Sequence, residues 1–168
     1  ACPLRIQKIT GFDLCKLSDF KAILKMIKLR KIQCLHCAPP CSTFSRARKW
    51  GDGGPAPLRS DQQPEGLAPK HKRTWKVWMA NVLTQRTAKL CKAIARAEGF
   101  FSVANPENSI IWKTSLMKSL LKIEGCKDYD GDQCVGGGIY RKSTRLRSTA
   151  PWLNVVARGA LGHQHTQG

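Results

Sequence analysis

The sequence has no long apolar run and few acidic residues, and each absence limits what the protein can be. No segment approaches the roughly 20 consecutive apolar residues that a membrane helix needs. The first dozen residues lack the apolar centre of a secretory signal. Both absences predict a soluble protein. The chain has 168 residues, which is enough for the core of one domain. It contains 29 lysines and arginines but only 11 aspartates and glutamates, which gives a net charge of +18.

The basic residues are spread along the chain rather than gathered in a tail. They lie mainly in the segments 21–31, 46–49, 70–76 and 141–147. Such an excess of positive charge attracts polyanions, of which nucleic acid is the leading candidate. The alternative is a surface that is basic only for solubility. Because the charge is distributed, nucleic-acid binding is favoured.

Eight cysteines are present, and an even number predicts disulfides in small secreted proteins. Several of them lie in apolar runs, which favours buried reduced thiols and a reducing compartment, the nucleus or the cytoplasm. Cys34 and Cys37 have the spacing of zinc ligands, with His36 between them. Alternate residues of a strand point to opposite faces, so these two cysteines cannot share one ion. No metal site is expected, and a small zinc module is the alternative.

The spacing of the apolar residues predicts alternating strands and helices, with Ser18 as one helix N-cap and Gly99 as a C-terminal cap. The predicted order is strand 4–11, helix 18–30, strand 32–38, loop 46–73, helix 74–98, strand 100–103, a loosely helical segment 109–121, and strands 126–133 and 144–149. This alternation predicts an α/β fold with a mainly parallel sheet flanked by helices. Residues 1–157 are expected to form one domain and residues 158–168 a flexible tail.

Ligands of parallel sheets collect at the carboxyl ends of the strands. Asp13, Cys41 and Asn105 each follow a predicted strand, so all three are expected to line one crevice. Two prolines precede Cys41 and make its turn rigid. Nearby Arg46 and Arg48 would lower the pKa of the thiol, and a thiolate in a basic cleft suits attack on an electron-poor ring. The alternative is a buried structural thiol.

Residues 38–45, Ala-Pro-Pro-Cys-Ser-Thr-Phe-Ser, resemble the Pro-Cys motif of DNA cytosine-5 methyltransferases. Further likenesses follow in the family's order. Val103-Ala104-Asn105-Pro106 resembles its Glu-Asn motif, and the segment 132–145 resembles its arginine-containing motif. Phe12-Asp13-Leu14 is similar to the segment that contacts the cofactor adenine. The nearest likeness, over about residues 10 to 150, is to divergent versions in mobile-element polyproteins.

The resemblance implies a partial Rossmann-like methyltransferase fold, the cofactor S-adenosylmethionine, and duplex DNA from which a cytosine is flipped. It also implies other domains of a longer polyprotein as partners. For catalysis it implies Cys41 as the nucleophile at carbon 6, Asn105 as a support of its own motif strand, and Arg145 as a contact to the base or the neighbouring turn. The implied cofactor contacts are Asp13, Pro39 and Pro40. The implied DNA contacts are Ser45, Arg46, Arg48, Lys49 and Trp50.

The sequence departs from the family pattern where activity depends on it. Ala104 replaces the glutamate that would protonate N3 of the ring, and Ser143 stands at the first arginine position of the arginine motif. The glycine-rich cofactor loop, its N-terminal strand and a target-recognition domain are expected to be missing. Glu107 could replace the glutamate only if the strand slipped. Because Pro106 should end that strand, Glu107 is expected to be an exposed acid at a helix start.

These departures predict little or no methyl transfer by this chain alone. A non-enzymatic basic nucleic-acid-binding remnant is the alternative. Among the tryptophans, Trp75, Trp78 and Trp112 are interleaved with basic residues and could stack on bases, but core packing is expected for Trp78 and Trp112. Trp50, which follows Lys49 in the glycine-rich loop, is the better candidate for a base contact.

Overall fold

Strands alternate with helices through the first part of the computed structural model, as the sequence pattern predicts. The structure describes residues 4–5, 12–46, 56–67, 74–132 and 143–154. The helices and strands within these ranges are β1 Leu4–Arg5, α1 Leu17–Lys28, β2 Cys34–Cys37, α2 Trp75–Arg96, β3 Phe100–Pro106, α3 Ser115–Leu120, β4 Lys127–Asp132 and β5 Ser143–Ser148, with 3-10 helices at Ile110–Lys113 and Pro151–Leu153.

The five strands form one sheet in the order β1-β2-β3-β5-β4. The pairs β1–β2 and β2–β3 are parallel, whereas β3–β5 and β4–β5 are antiparallel. The predicted α/β class is confirmed, but the sheet is mixed rather than mainly parallel. Residues 133–142, which join β4 to β5, are fewer than the dozen or so that a parallel crossover needs. The two strands therefore pair as antiparallel neighbours.

Two predicted helix caps are wrong. Helix α1 has Lys16 rather than Ser18 at its N-cap, and the Asp13 backbone N–H donates to the Asp19 carboxylate at 2.7 Å. At the end of α2 the left-handed residue is Glu98, with φ of +62°, rather than Gly99. Glycine is needed at 99 for another reason, because a Cβ there would lie 2.6 Å from the Gln33 carbonyl oxygen.

The core lies between the sheet and α2. Helix α2 contacts β2 and β3, and helices α1 and α3 pack against α2. The largest fully buried side chains are Ile23, Ile27, Leu35, Phe44, Val77, Leu90, Ile94, Phe101, Val103, Ile111, Met117 and Leu120. None of the described helices is both long and apolar enough to cross a membrane. The predicted boundary between domain and tail, at residue 157, lies outside the described residues.

The buried cysteines are part of this core. Cys37, Cys91 and Cys126 are buried free thiols, as the apolar runs predict. Burial and the neighbouring Cys37 raise the pKa of Cys91, and burial raises the pKa of Cys126 to about 11. Both are therefore neutral at pH 7. Burial alternates along β2, so Cys34 and Cys37 point to opposite faces, as predicted.

Candidate functional site

A pocket of about 220 Å³ lies at the carboxyl end of β2. Asp13, Pro39 and Pro40, the three residues predicted to contact the cofactor, all line it. The rest of its wall is formed by Phe12, Leu14, Cys15, His36, Cys37, Ala38, Leu83 and Thr87. The structure thus brings together residues from before α1, after β2 and along α2.

The size and chemistry of this pocket suit only part of S-adenosylmethionine. Sites for drug-sized ligands are typically about 300–1,000 Å³, so the pocket is too small for the whole cofactor. Its wall is mostly apolar, and the Asp13 carboxylate is the acidic group in it. The Asp13 carboxylate also has a structural role, because its Oδ1 accepts the Cys15 backbone N–H at 2.9 Å.

Cys41 directly follows the pocket wall and lies on an exposed turn. Its carbonyl oxygen accepts the Phe44 backbone N–H at 2.9 Å, which closes the turn. The side chain is an exposed free thiol, so the alternative of a buried structural cysteine is wrong. Neither Cys41 nor Asn105 lines the pocket around Asp13, and the single crevice predicted for all three is therefore only partly formed.

Asn105 fixes the segment before Cys41. It is buried on β3, and its Nδ2 donates to the Pro39 carbonyl oxygen at 2.8 Å, across 66 residues of sequence. A second bond runs from the Ile110 backbone N–H to the Phe44 carbonyl oxygen at 3.0 Å. The chain in and after β3 therefore holds both ends of the cysteine turn. The Oδ1 of Asn105 is buried and has no hydrogen-bond partner among the described residues.

We expect Asn105→Ala to lower the free energy of unfolding by about 1–2 kcal/mol, because the Pro39 carbonyl loses its buried donor. The cysteine turn should also loosen, so that Cys41 reacts faster with a thiol reagent. Urea denaturation and peptide-resolved mass spectrometry of thiol labelling measure the two effects. Asn108→Ala, the same change at an exposed position, is the control and should change neither. Equal labelling rates for both variants would contradict the positioning role.

Ala104 and Arg145 lie on opposite faces of the sheet. In the β3–β5 register Asn105 is paired with Arg145 and Ala104 with Leu146, and paired residues share a face. The Arg145 guanidinium donates twice to Asp130, at 2.7 Å each, and this hydrogen bonding raises the pKa of Arg145. These bonds use two of the five N–H donors of Arg145 and fix the guanidinium against Asp130. Most of the likeness at 132–145 lies outside the described residues.

Glu107 lies beyond the end of β3, as the position of Pro106 predicts. Its expected role at a helix start is wrong, because Ser109 caps the following 3-10 helix. The Glu107 carboxylate instead accepts the Ser143 hydroxyl at 2.8 Å, and its backbone N–H donates to the Ser143 carbonyl oxygen at 3.1 Å. This acid therefore ties the end of β3 to the start of β5.

Of the predicted DNA contacts, only Ser45 and Arg46 belong to the described residues, whereas Arg48, Lys49 and Trp50 lie outside them. Arg46 forms an ion pair with Asp61, and its Nε donates to the Asn108 carbonyl oxygen at 2.8 Å. The guanidinium thus joins the cysteine segment to two others. It is exposed, but part of its hydrogen-bonding capacity is already used.

Arg59 is a buried residue that no sequence signal marks. Its guanidinium lies 3.7 Å from the centre of the Phe44 ring. Burial lowers the pKa of Arg59 to about 10, against the opposing effect of Glu65, so the side chain remains charged at pH 7. The oxygens that accept its hydrogen bonds are Thr43 Oγ1, Asn81 Oδ1 and the carbonyls of Pro64 and Val77. Arg59 therefore connects the cysteine turn, the loop 56–67 and helix α2.

Arg147 is the second buried arginine that sequence reasoning missed. It donates twice to Asp128, at 2.7 Å each, and once to the Met117 carbonyl oxygen at 2.8 Å. Its guanidinium also lies 4.9 Å from the centre of the Trp112 ring. A groove of about 380 Å³ beside it is lined by Arg46, Glu107, Asn108, Ser109, Trp112, Lys113, Lys118, Leu121, Arg145 and Arg147.

The prediction that Trp78 and Trp112 are both buried is correct for only one of them. Trp112 is buried, as expected, and its Nε1 donates to the Pro106 carbonyl oxygen at 2.8 Å. Trp78, which was expected to pack in the core, is exposed. It stacks on the exposed Trp75, with ring centres 5.0 Å apart and an angle of 29° between the rings.

Comparisons with known proteins add no assignment to this geometry. No family model, no curated protein and no solved structure matches the chain. Support for a function therefore comes from three features: a small, mostly apolar pocket, an exposed cysteine next to its wall, and a buried amide that holds the segment between them.

Proposed function

We propose that this chain is a DNA cytosine-5 methyltransferase-like domain that binds DNA and has lost methyl transfer. The observation that carries the proposal is the hydrogen bond from Asn105 to Pro39. This bond joins the segments 38–45 and 103–106, which resemble two motifs of the family, at a point directly before the exposed Cys41. A partial Rossmann-like arrangement of β1, β2 and β3 is part of the same proposal, supported by their parallel pairing.

In this proposal Cys41 stands at the position of the nucleophile that would add to carbon 6 of a flipped cytosine, and Asn105 positions the backbone before it. When bound, S-adenosylmethionine would be the source of a methyl group for carbon 5. Asp13, Pro39 and Pro40 hold its adenine. Arg145 contacts the base or the neighbouring turn through the N–H donors that Asp130 does not accept. The proposed DNA surface consists of Ser45, Arg46, Arg48, Lys49 and Trp50.

Ala104 is the reason to expect no turnover. A methyl group can neither donate a proton to N3 of the ring nor stabilise the charge that develops there. Carbon 6 then stays a poor electrophile, whatever nucleophile lies beside it. The small size of the pocket supports the same conclusion, because about 220 Å³ is below the range of about 300–1,000 Å³ typical of sites for ligands of the cofactor's size.

Methyl transfer and cofactor binding test this proposal. Purified protein is incubated with methyl-labelled S-adenosylmethionine and cytosine-containing duplex DNA. We expect no more labelling from the wild type than from Cys41→Ser, and DNA binding by both. Calorimetry should detect cofactor binding that Asp13→Ala abolishes. Labelling that depends on Cys41 would refute the loss of activity, and a wild type without cofactor affinity would refute the cofactor site. Any labelling gained by Ala104→Glu would show that the remaining machinery is intact.

A non-enzymatic nucleic-acid-binding domain is the second candidate. It is favoured by the ion pair that engages Arg145, a residue of the methyltransferase-like site, and by the small pocket. It predicts sequence-indifferent binding, no cofactor affinity, and full binding by Cys41→Ser. Even two phosphate contacts would weaken such binding about tenfold between about 50 and about 200 mM salt. A reducing intracellular compartment, nuclear or cytoplasmic, and further polyprotein domains as partners belong to both proposals.

A further inference from the structure

Trp75 and Trp78 form an exposed aromatic pair at the start of α2, which we call the tryptophan platform. Their residues are 67% and 48% exposed. Their rings stack on each other because residues three apart lie on the same side of a helix. Single exposed apolar residues are common on proteins, whereas adjacent large ones mark interaction surfaces. The platform therefore presents apolar ring surface for a ligand.

The charge near the platform in the sequence indicates what that ligand is. Lys72, Arg73 and Lys76 each lie within three residues of Trp75, and no acidic residue stands between Glu65 and Glu98. Lys76 lies between the two tryptophans and is exposed. A partner must therefore combine negative charge with flat apolar groups, which are the properties of a nucleic-acid strand with accessible bases.

A groove of about 230 Å³ continues from Trp78 along α2. Gln85 lines it and is exposed, so its amide can both donate to and accept from the edge of a base. Asn81 also lines the groove, but its amide is already bonded to Arg59 and to the Glu65 carbonyl oxygen. Glu65 is the acidic residue in this wall and disfavours a phosphate there. A nucleotide whose base stacks on Trp78 and whose phosphate points towards Lys76 would place its base edge near Gln85 and keep its phosphate away from Glu65.

We propose that the tryptophan platform stacks unpaired bases of a single-stranded nucleic acid. Bases within a duplex are stacked on one another, so the platform should prefer single strands. This binding is independent of the proposed cytosine chemistry, because neither Cys41 nor the pocket around Asp13 contributes to it. It adds to the proposed duplex contacts a second site on a different element.

Fluorescence anisotropy of a labelled oligothymidine tests the platform. We expect the double variant Trp75→Ala/Trp78→Ala to bind at least about tenfold more weakly, because stacking on aromatic side chains contributes substantially per base. The dependence of binding on salt should stay the same, since no phosphate contact is removed. Trp75→Phe/Trp78→Phe should keep most of the affinity. Trp152→Ala, which removes another exposed tryptophan, is the matched control and should bind like the wild type.

Three results would overturn the proposal. The double alanine variant could bind the oligothymidine as tightly as the wild type. It could lose affinity for duplex and single strand equally. Light scattering could show a wild-type dimer that the double variant converts to a monomer, which would assign the platform to a second copy of the chain. Thermal melts by circular dichroism verify that each variant is folded. Unchanged oligothymidine binding by Cys41→Ser separates this site from the proposed methyltransferase-like site.

Discussion

Replacing Arg59 by methionine is expected to lower the free energy of unfolding by at least about 3 kcal/mol. The change removes the donor to four acceptor groups around a buried guanidinium. Each buried acceptor left without a partner costs about 1–3 kcal/mol. Domains of this size are stable by only about 5–15 kcal/mol, so a large share of the stability is lost. The cysteine turn should loosen as well, because Thr43 is one of the acceptors.

Chemical denaturation measures this loss, and two controls define its cause. Arg59→Lys keeps the charge but cannot reach the diverging acceptors, so it should be nearly as destabilising. Arg30→Met removes an arginine whose ion pair with Glu98 is exposed to solvent, and it should cost at most about 1 kcal/mol. An Arg59→Met protein with the same denaturation midpoint as Arg30→Met would contradict the role of Arg59.

Arg147→Met is expected to have the second largest effect, about 3 kcal/mol of lost stability. The side chain of Arg147 is only 3% exposed, and its removal leaves the Asp128 carboxylate with only a longer contact of 3.7 Å to Arg145. Breaking a largely buried pair from one side is costly because the remaining charge loses most of its compensation. The Met117 carbonyl oxygen also loses its donor, and the start of α3 loses its connection to β5.

Arg145→Met is the matched control for this prediction. Arg145 lies on the same strand and face, also pairs with an aspartate, and is 24% exposed. The Arg145→Met variant should lose about 1 kcal/mol of unfolding free energy, because water solvates the charge that remains on Asp130. The double variant Arg147→Met/Asp128→Asn should be more stable than the sum of the single changes predicts, since it leaves no unpaired carboxylate. Equal losses for Arg145→Met and Arg147→Met would show that burial is not the cause.

The helices were predictable because their apolar residues recur with helical spacing. The period through Phe20, Ile23 and Ile27 defines the buried side of α1, and all three are buried. The ends were less predictable. The contacts that fix them come from elsewhere in the fold, as when the Gln33 carbonyl approaches Gly99 too closely for any side chain.

The candidate site was predictable where a residue directly follows a strand. Asp13, Pro39 and Pro40 meet at one pocket, and Cys41 lies exposed next to it. The arginines were less predictable, since burial depends on packing and not on residue type. Arg46, a predicted DNA contact, forms an exposed ion pair with Asp61 that no local pattern indicates, whereas Arg59 and Arg147 are buried. Trp78 was expected in the core and is exposed, because the buried side of α2 passes through Val77 and Ala80.

Local patterns are enough to predict the α/β class, the proline-rich segment before Cys41, the excess of basic residues and the order of the motif-like segments. Each of these follows from neighbouring residues, whose spacing and chemistry are local properties of the chain. The position of β5 between β3 and β4, the bond from Asn105 to Pro39 and the burial of particular arginines follow only from the folded arrangement. These depend on which distant segments meet, and the free energy of that choice is shared among many weak contacts that no short pattern encodes.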